Sequence, residues 1–101
     1  MEFNKLVRDN IPEIIEGKGE KAFTHIAEEK EYGEALEQKL LEEANEFLQN
    51  PSVEEAADIL EVLQAICALK GIDLSKLEEV RQKKAKERGG FKNRIILDRT
   101  E

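Results

Sequence analysis

The sequence predicts an all-α protein: an antiparallel helical bundle with short extended N- and C-terminal segments. Three observations support this. Apolar residues recur at three- and four-residue spacing over much of the chain, the period of a helix packed on one side. Proline, glycine and cap-forming residues divide that pattern into separate helices. The composition, 39% charged and 40% hydrophobic with no Trp and two Pro, suits a soluble helical protein better than a sandwich or a disordered tail. At 101 residues the chain is expected to form one domain, residues 1–101, with a core adequate but not generous, so oligomerisation is expected to complete it.

The opening MEFNKLVRDNIPEIIEGKG reads as an extended lead-in followed by a helical turn or two. Asp9 or Asn10 is the expected cap, Pro12 is tolerated because its missing N–H lies where helix donors are unpaired, and Gly17 and Gly19 end the turn. Phe23, Thr24 and Ile26 alternate in part, so residues 21–27 read as a short strand or an extended strap.

The first long helix is expected over about 28–48, with Gly33, Leu36, Leu40, Ala44, Phe47 and Leu48 on one stripe. It ends at QNPS, where Pro51 disfavours helical geometry for Asn50. Ser52 and Glu55 fit a capping box that opens the next helix, which runs to Lys70 with Gly71 as its stop. Asp73 or Ser75 then caps a helix over about 74–87, ended by Gly89 and Gly90. The tail FKNRIILDRTE holds Ile95, Ile96 and Leu97, expected as a strand pairing with residues 21–27.

A formal net charge of -7 argues against nonspecific nucleic-acid binding, because no basic excess exists to displace counterions from phosphates. An acidic protein that handles an anionic ligand needs a cation as mediator. The single cysteine, Cys67, excludes an intramolecular disulfide and a Cys-rich zinc site. MEFNKLVRD lacks the apolar run of a signal peptide, and no segment approaches the roughly 20 apolar residues of a membrane span. The expectation is a cytoplasmic protein without membrane contact.

At roughly 100° per residue, Glu43 falls on a shoulder of the first long helix's stripe and Glu46 lies further along the same side; Glu42 and Asn45 point more nearly away. On the next helix, with Ile59, Val62 and Ile66 as the centre of the apolar face, Glu55 lies on the face, Asp58 at its edge, and Glu54 projects away. Leu60, Leu63, Cys67 and Leu69 widen that face, so cover on more than one side is expected. A carboxylate there must be paired, protonated or bound to a metal.

Each acid also has a plain structural reading. Glu55 serves the cap, Glu43 and Glu46 face water at the boundary, and Lys39 makes a helix-surface ion pair with Glu43. Together they point further, because two helices joined by a short turn run antiparallel and can bring the four acids to one point. Lys39 is the one basic residue between Glu37 and Leu69. Four oxygen donors with no His or Cys beside them suit a hard cation, Mg²⁺ or Mn²⁺.

E-x-x-E at Glu43–Glu46 followed by E-x-x-D at Glu55–Asp58 resembles the paired acidic motifs of the all-α nucleoside triphosphate pyrophosphatases, among them the MazG-like proteins. K-L-x-E-E-x-x-E over Lys39 to Glu46 and the block EEAADILEVL are similar to that family, and NKLVRDNIPEII and ERGGFKNRIIL resemble the ends of a small phosphoribosyl-ATP pyrophosphohydrolase-like branch. The resemblance covers nearly the whole chain; no base-recognition motif accompanies it, and the branch label denotes fold kinship rather than substrate.

The resemblance implies hydrolysis of a nucleotide between its α and β phosphates, with Mg²⁺ held by Glu43, Glu46, Glu55 and Asp58 and with Glu43 contacting the attacking water. Substrate-phosphate contacts are expected from Lys39, Arg8, Lys86, Arg88 and Arg94, although the last three also fit a basic helix end or a solvated tail, and Arg8 also fits a contact with the helical core. His25 is expected to be structural or on the surface. A homodimer or homotetramer is expected. The alternative is a noncatalytic helical module that binds a nucleotide or a protein partner.

Overall fold

In the computed structural model, which describes residues 4–101, the fold is all-helical. Among the described residues there are four helices: α1 (Ile11–Gly17), α2 (Glu29–Gln49), α3 (Val53–Lys70) and α4 (Leu74–Arg88). Their bounds lie within about a residue of those expected, because local punctuation marks each end.

Asn10 precedes α1 without a side-chain cap bond, and a proline stands in the helix's first turn. α2 ends where the Asn50 N–H donates to the Glu46 carbonyl at 2.9 Å. Ser52 caps α3 by accepting the Glu55 N–H at 3.1 Å. The return arm of the expected capping box is absent among the described residues: the Glu55 carboxyl leaves its Oε2 buried with no hydrogen-bond partner. Gly71, left-handed at φ 72°, closes α3. The Ile72 N–H reaches the Cys67 carbonyl and the Gly71 N–H the Ala68 carbonyl, the paired bonds of a Schellman stop. Asp73 caps α4 with bonds from the Ser75 and Lys76 N–H groups and from the Ser75 hydroxyl, and these hold its carboxyl below the ordinary range.

α2 and α3 form the one extensive helix–helix contact among the described residues. They run antiparallel. Gly33, early in α2, faces Leu69, late in α3, so that a Cβ on Gly33 would lie 3.5 Å from Leu69 Cδ2. Among the described residues the buried apolar side chains are few: Leu36 from α2 with Val62 and Cys67 from α3.

Two expectations are corrected. No strand forms among the described residues: 21–27 and 95–97 lack regular structure, and no backbone hydrogen bond joins them. A lone two-stranded ribbon is marginal in water, and neither segment has a third strand or a covering helix to support it. The cover expected on more than one side of α3 is also incomplete within one copy, where Leu60 and Leu63 are exposed; on α2, Leu48 at the end of its stripe is 76% exposed.

The whole of α4 is exposed, and Phe23, Ile26, Phe91 and Ile95–Leu97 stand in solvent. The chain exposes 9546 Å², against about 5,800 Å² for a compact monomer of its mass. Its radius of gyration is 18.1 Å, where a compact domain of this length has about 13 Å.

Two glycine substitutions should move stability in opposite directions. Gly33→Ala meets only ordinary van der Waals contact and removes a helix-breaking residue, so it should stabilise by about 0.5–1 kcal/mol. Gly71→Ala forces a left-handed conformation on a residue with a Cβ and should destabilise by about 1 kcal/mol. Urea unfolding of both variants beside the wild type checks the pair.

Candidate metal centre

The antiparallel hairpin brings the late part of α2 against the early part of α3. One carboxylate oxygen from each of Glu43, Glu55 and Asp58 lies within 4.8 Å of the other two. Glu43 is the one buried charged residue among those described, only 6% exposed, while Glu55 and Asp58 are half-buried. Glu46 is exposed, one turn beyond Glu43 on α2, and its carboxyl interacts with that of Glu43. Three of the four expected ligands thus converge, and the fourth stands beside them.

Cations flank the cluster on two sides. On α2, Lys39 Nζ lies 3.4 Å from Glu43 Oε1 and 3.9 Å from Glu42 Oε2, with its side chain largely covered. This is the helix ion pair its spacing suggests. On α3, Arg8 Nη2 donates to Asp58 Oδ1 at 2.7 Å. Of the two readings open for Arg8, the structure shows a contact with the helical hairpin, made through a candidate ligand. Lys5 adds a second tie from the same segment, 3.7 Å from Glu42.

Lys86, Arg88 and Arg94 are not brought to the cluster. Each is exposed, and none pairs with any of the four acids among the described residues. The reason is topological: α4 leaves from the end of α3 opposite Glu55 and does not fold back on the hairpin. His25 pairs with Glu31 at 3.0 Å on the surface, the second of the two placements expected for it.

The cluster is electrically unfinished. Arg8 and Lys39 balance two of the four carboxylates, while buried Glu43 Oε2 and Glu55 Oε2 have no hydrogen-bond partner. Burial, followed by the neighbouring Glu46 carboxyl, pushes the Glu43 carboxyl above its ordinary value of 4.5, and Lys39 opposes the shift only in part. Two carboxyls share a hydrogen bond only when one holds a proton, so the Glu43–Glu46 contact is repulsive once both ionise. Orphaned oxygens, excess negative charge and an all-oxygen donor set together fit a hard divalent cation.

Compared with protein-family models, with curated proteins and with solved structures, the chain matches none. The site is therefore read from its own geometry. No helix among the described residues is long and apolar enough to cross a membrane.

Sequence reasoning offers no pattern that places Arg8 on Asp58. Fifty positions separate them, and a basic residue in an irregular lead-in has no periodicity to orient it.

The raised Glu43 pKa carries a sign. The folded state binds the proton more tightly than the unfolded chain, so the penalty is full above the raised value, fades as pH falls through it and is gone below about 4.5. Without divalent ions, Glu43→Gln should therefore stabilise the protein at neutral pH, an advantage that shrinks as pH drops towards 4.5. Melting curves across pH check this.

Proposed function

We propose that this protein is a Mg²⁺- or Mn²⁺-dependent nucleotide pyrophosphohydrolase that cleaves between the α and β phosphates of a nucleoside triphosphate or related nucleotide. The observation that carries the reading is the three-carboxylate cluster with two buried, unpartnered oxygens on facing helices. The same acids carry the resemblance to the all-α nucleoside triphosphate pyrophosphatases, including the MazG-like proteins.

Glu43, Glu55 and Asp58 would hold the cation, with Glu46 completing the set. When bound, such a cation polarises phosphoryl oxygens and offsets the charge developing on a departing pyrophosphate. Glu43, the most buried acid of the cluster, is the one assigned to contact the attacking water. Lys39, beside Glu43, and Arg8, beside Asp58, supply the positive charge that an anionic substrate needs. Lys86, Arg88 and Arg94 reach a site only if it belongs to another copy of the chain.

Such a copy is part of the proposal. The exposed Leu60 and Leu63, the bare α4 and a surface far above that of a compact monomer suit a homodimer or homotetramer. Light scattering is expected to give at least twice the chain mass at micromolar concentration, and Leu60→Glu should lower it. A monomer with native stability would sink the oligomer.

The activity test is pyrophosphate release from a broad nucleotide panel with Mg²⁺ or Mn²⁺. Glu55→Gln should lower the rate at least about 100-fold, since removing a ligand should cost no less than disturbing its supporting shell. If no nucleotide yields pyrophosphate and wild type and Glu55→Gln cannot be told apart, the enzymatic reading is wrong. Calorimetric nucleotide binding without turnover would instead establish a noncatalytic module of the same fold.

A further inference from the structure

We propose that Arg8 is a built-in counter-cation: it ties the N-terminal segment to α3 through Asp58 in the metal-free protein, and a divalent cation taken up by the acid cluster displaces it. The inference rests on the metal centre proposed above and adds a competitor for that centre supplied by the chain itself.

Arg8 bonds Asp58 at 2.7 Å, and Asp58 contributes to the cluster whose oxygens lie within 4.8 Å of one another. A cation held by Glu43, Glu55 and Asp58 would therefore sit beside a guanidinium of like sign. The pair itself is weak, because the Arg8 side chain is 56% exposed and such surface pairs contribute little to stability.

Residues 4–10 form no helix or strand, and the burial of the N-terminal segment is only partial: Leu6, Ile11, Pro12 and Ile15 are half-buried, while Val7 is exposed and α1 has no fully buried residue. The Lys5–Glu42 ion pair is longer, at 3.7 Å, and lies outside the three-acid cluster. The Arg8–Asp58 pair is itself half-exposed and separate from the buried Leu36, Val62 and Cys67, so releasing it leaves the α2–α3 core in place.

Lys39 makes the contrast. It grows from α2, is mostly covered and is shared between Glu42 and Glu43, so it belongs to the fixed wall of the site. Arg8 comes from an irregular segment and engages only one acid among the described residues. Of the two flanking cations, Arg8 is the one free to yield.

Mn²⁺ titration calorimetry on the full chain tests this with wild type, Arg8→Gln, Arg8→Lys, Glu55→Gln and, as a remote charge control, Arg81→Gln. Removal of a unit charge beside the ion should make Arg8→Gln bind Mn²⁺ about tenfold more tightly than wild type. Arg8→Lys, which keeps the charge, should stay near wild type, and Arg81→Gln should be unchanged. Equal affinity for wild type and Arg8→Gln, in a protein whose Glu55→Gln variant has lost binding, overturns the counter-cation and leaves the metal centre standing. Weaker binding by Arg8→Gln also overturns displacement, since Arg8 would then be positioning Asp58 for the metal. A gain equalled by Arg81→Gln reduces the effect to net charge and overturns it too. Absence of Mn²⁺ binding in every protein removes the metal centre and the counter-cation together.

Discussion

The structure depends on the packing of α2 against α3. That contact buries Leu36, Val62 and Cys67, brings Gly33 against Leu69 and draws Glu43 into the same protected seam. Apolar burial supplies the drive and the carboxylate opposes it, because a buried charge without a full set of partners is costly. A fold with so few buried side chains has little reserve to spend on idle charge. The seam therefore holds two helices together while leaving one buried oxygen of Glu43 and one of Glu55 without a hydrogen-bond partner.

Each acid of the seam is treated differently. Glu43 keeps one oxygen near Lys39 and leaves the other bare, whereas Asp58 is partly neutralised by Arg8. Glu55 surrenders its backbone N–H to the Ser52 cap while its carboxyl makes no return bond. The helix start is satisfied by the serine alone, which frees the glutamate for the cluster. One residue thus serves the fold through its backbone and the site through its side chain.

The same economy explains the shape of the chain. α4 and both irregular segments contribute nothing buried, and much of the apolar surface that the sequence encodes finds no partner within one copy. Helix propensity and good caps, at Asp73 above all, suffice to define α4 locally. Local order and tertiary burial are separate achievements here, and α4 has only the first.

Helix number and ends were legible in the chain, because caps, glycines and the proline at Pro51 act over a few residues and need no tertiary partner. The side of α2 that bears Glu43 and the side of α3 that bears Glu55 and Asp58 were legible too, since helical period fixes the face and a short turn fixes antiparallel order. Three matters belonged to the tertiary structure: which acids converge, which cations reach them, and whether the extended segments pair. Glu46 stays exposed because it lies one turn nearer the end of α2. Arg8 finds Asp58 across a long sequence separation that no local pattern encodes. Residues 21–27 and 95–97 remain unpaired because alternation describes what a strand can bury and does not supply the neighbouring strand that its hydrogen bonds require.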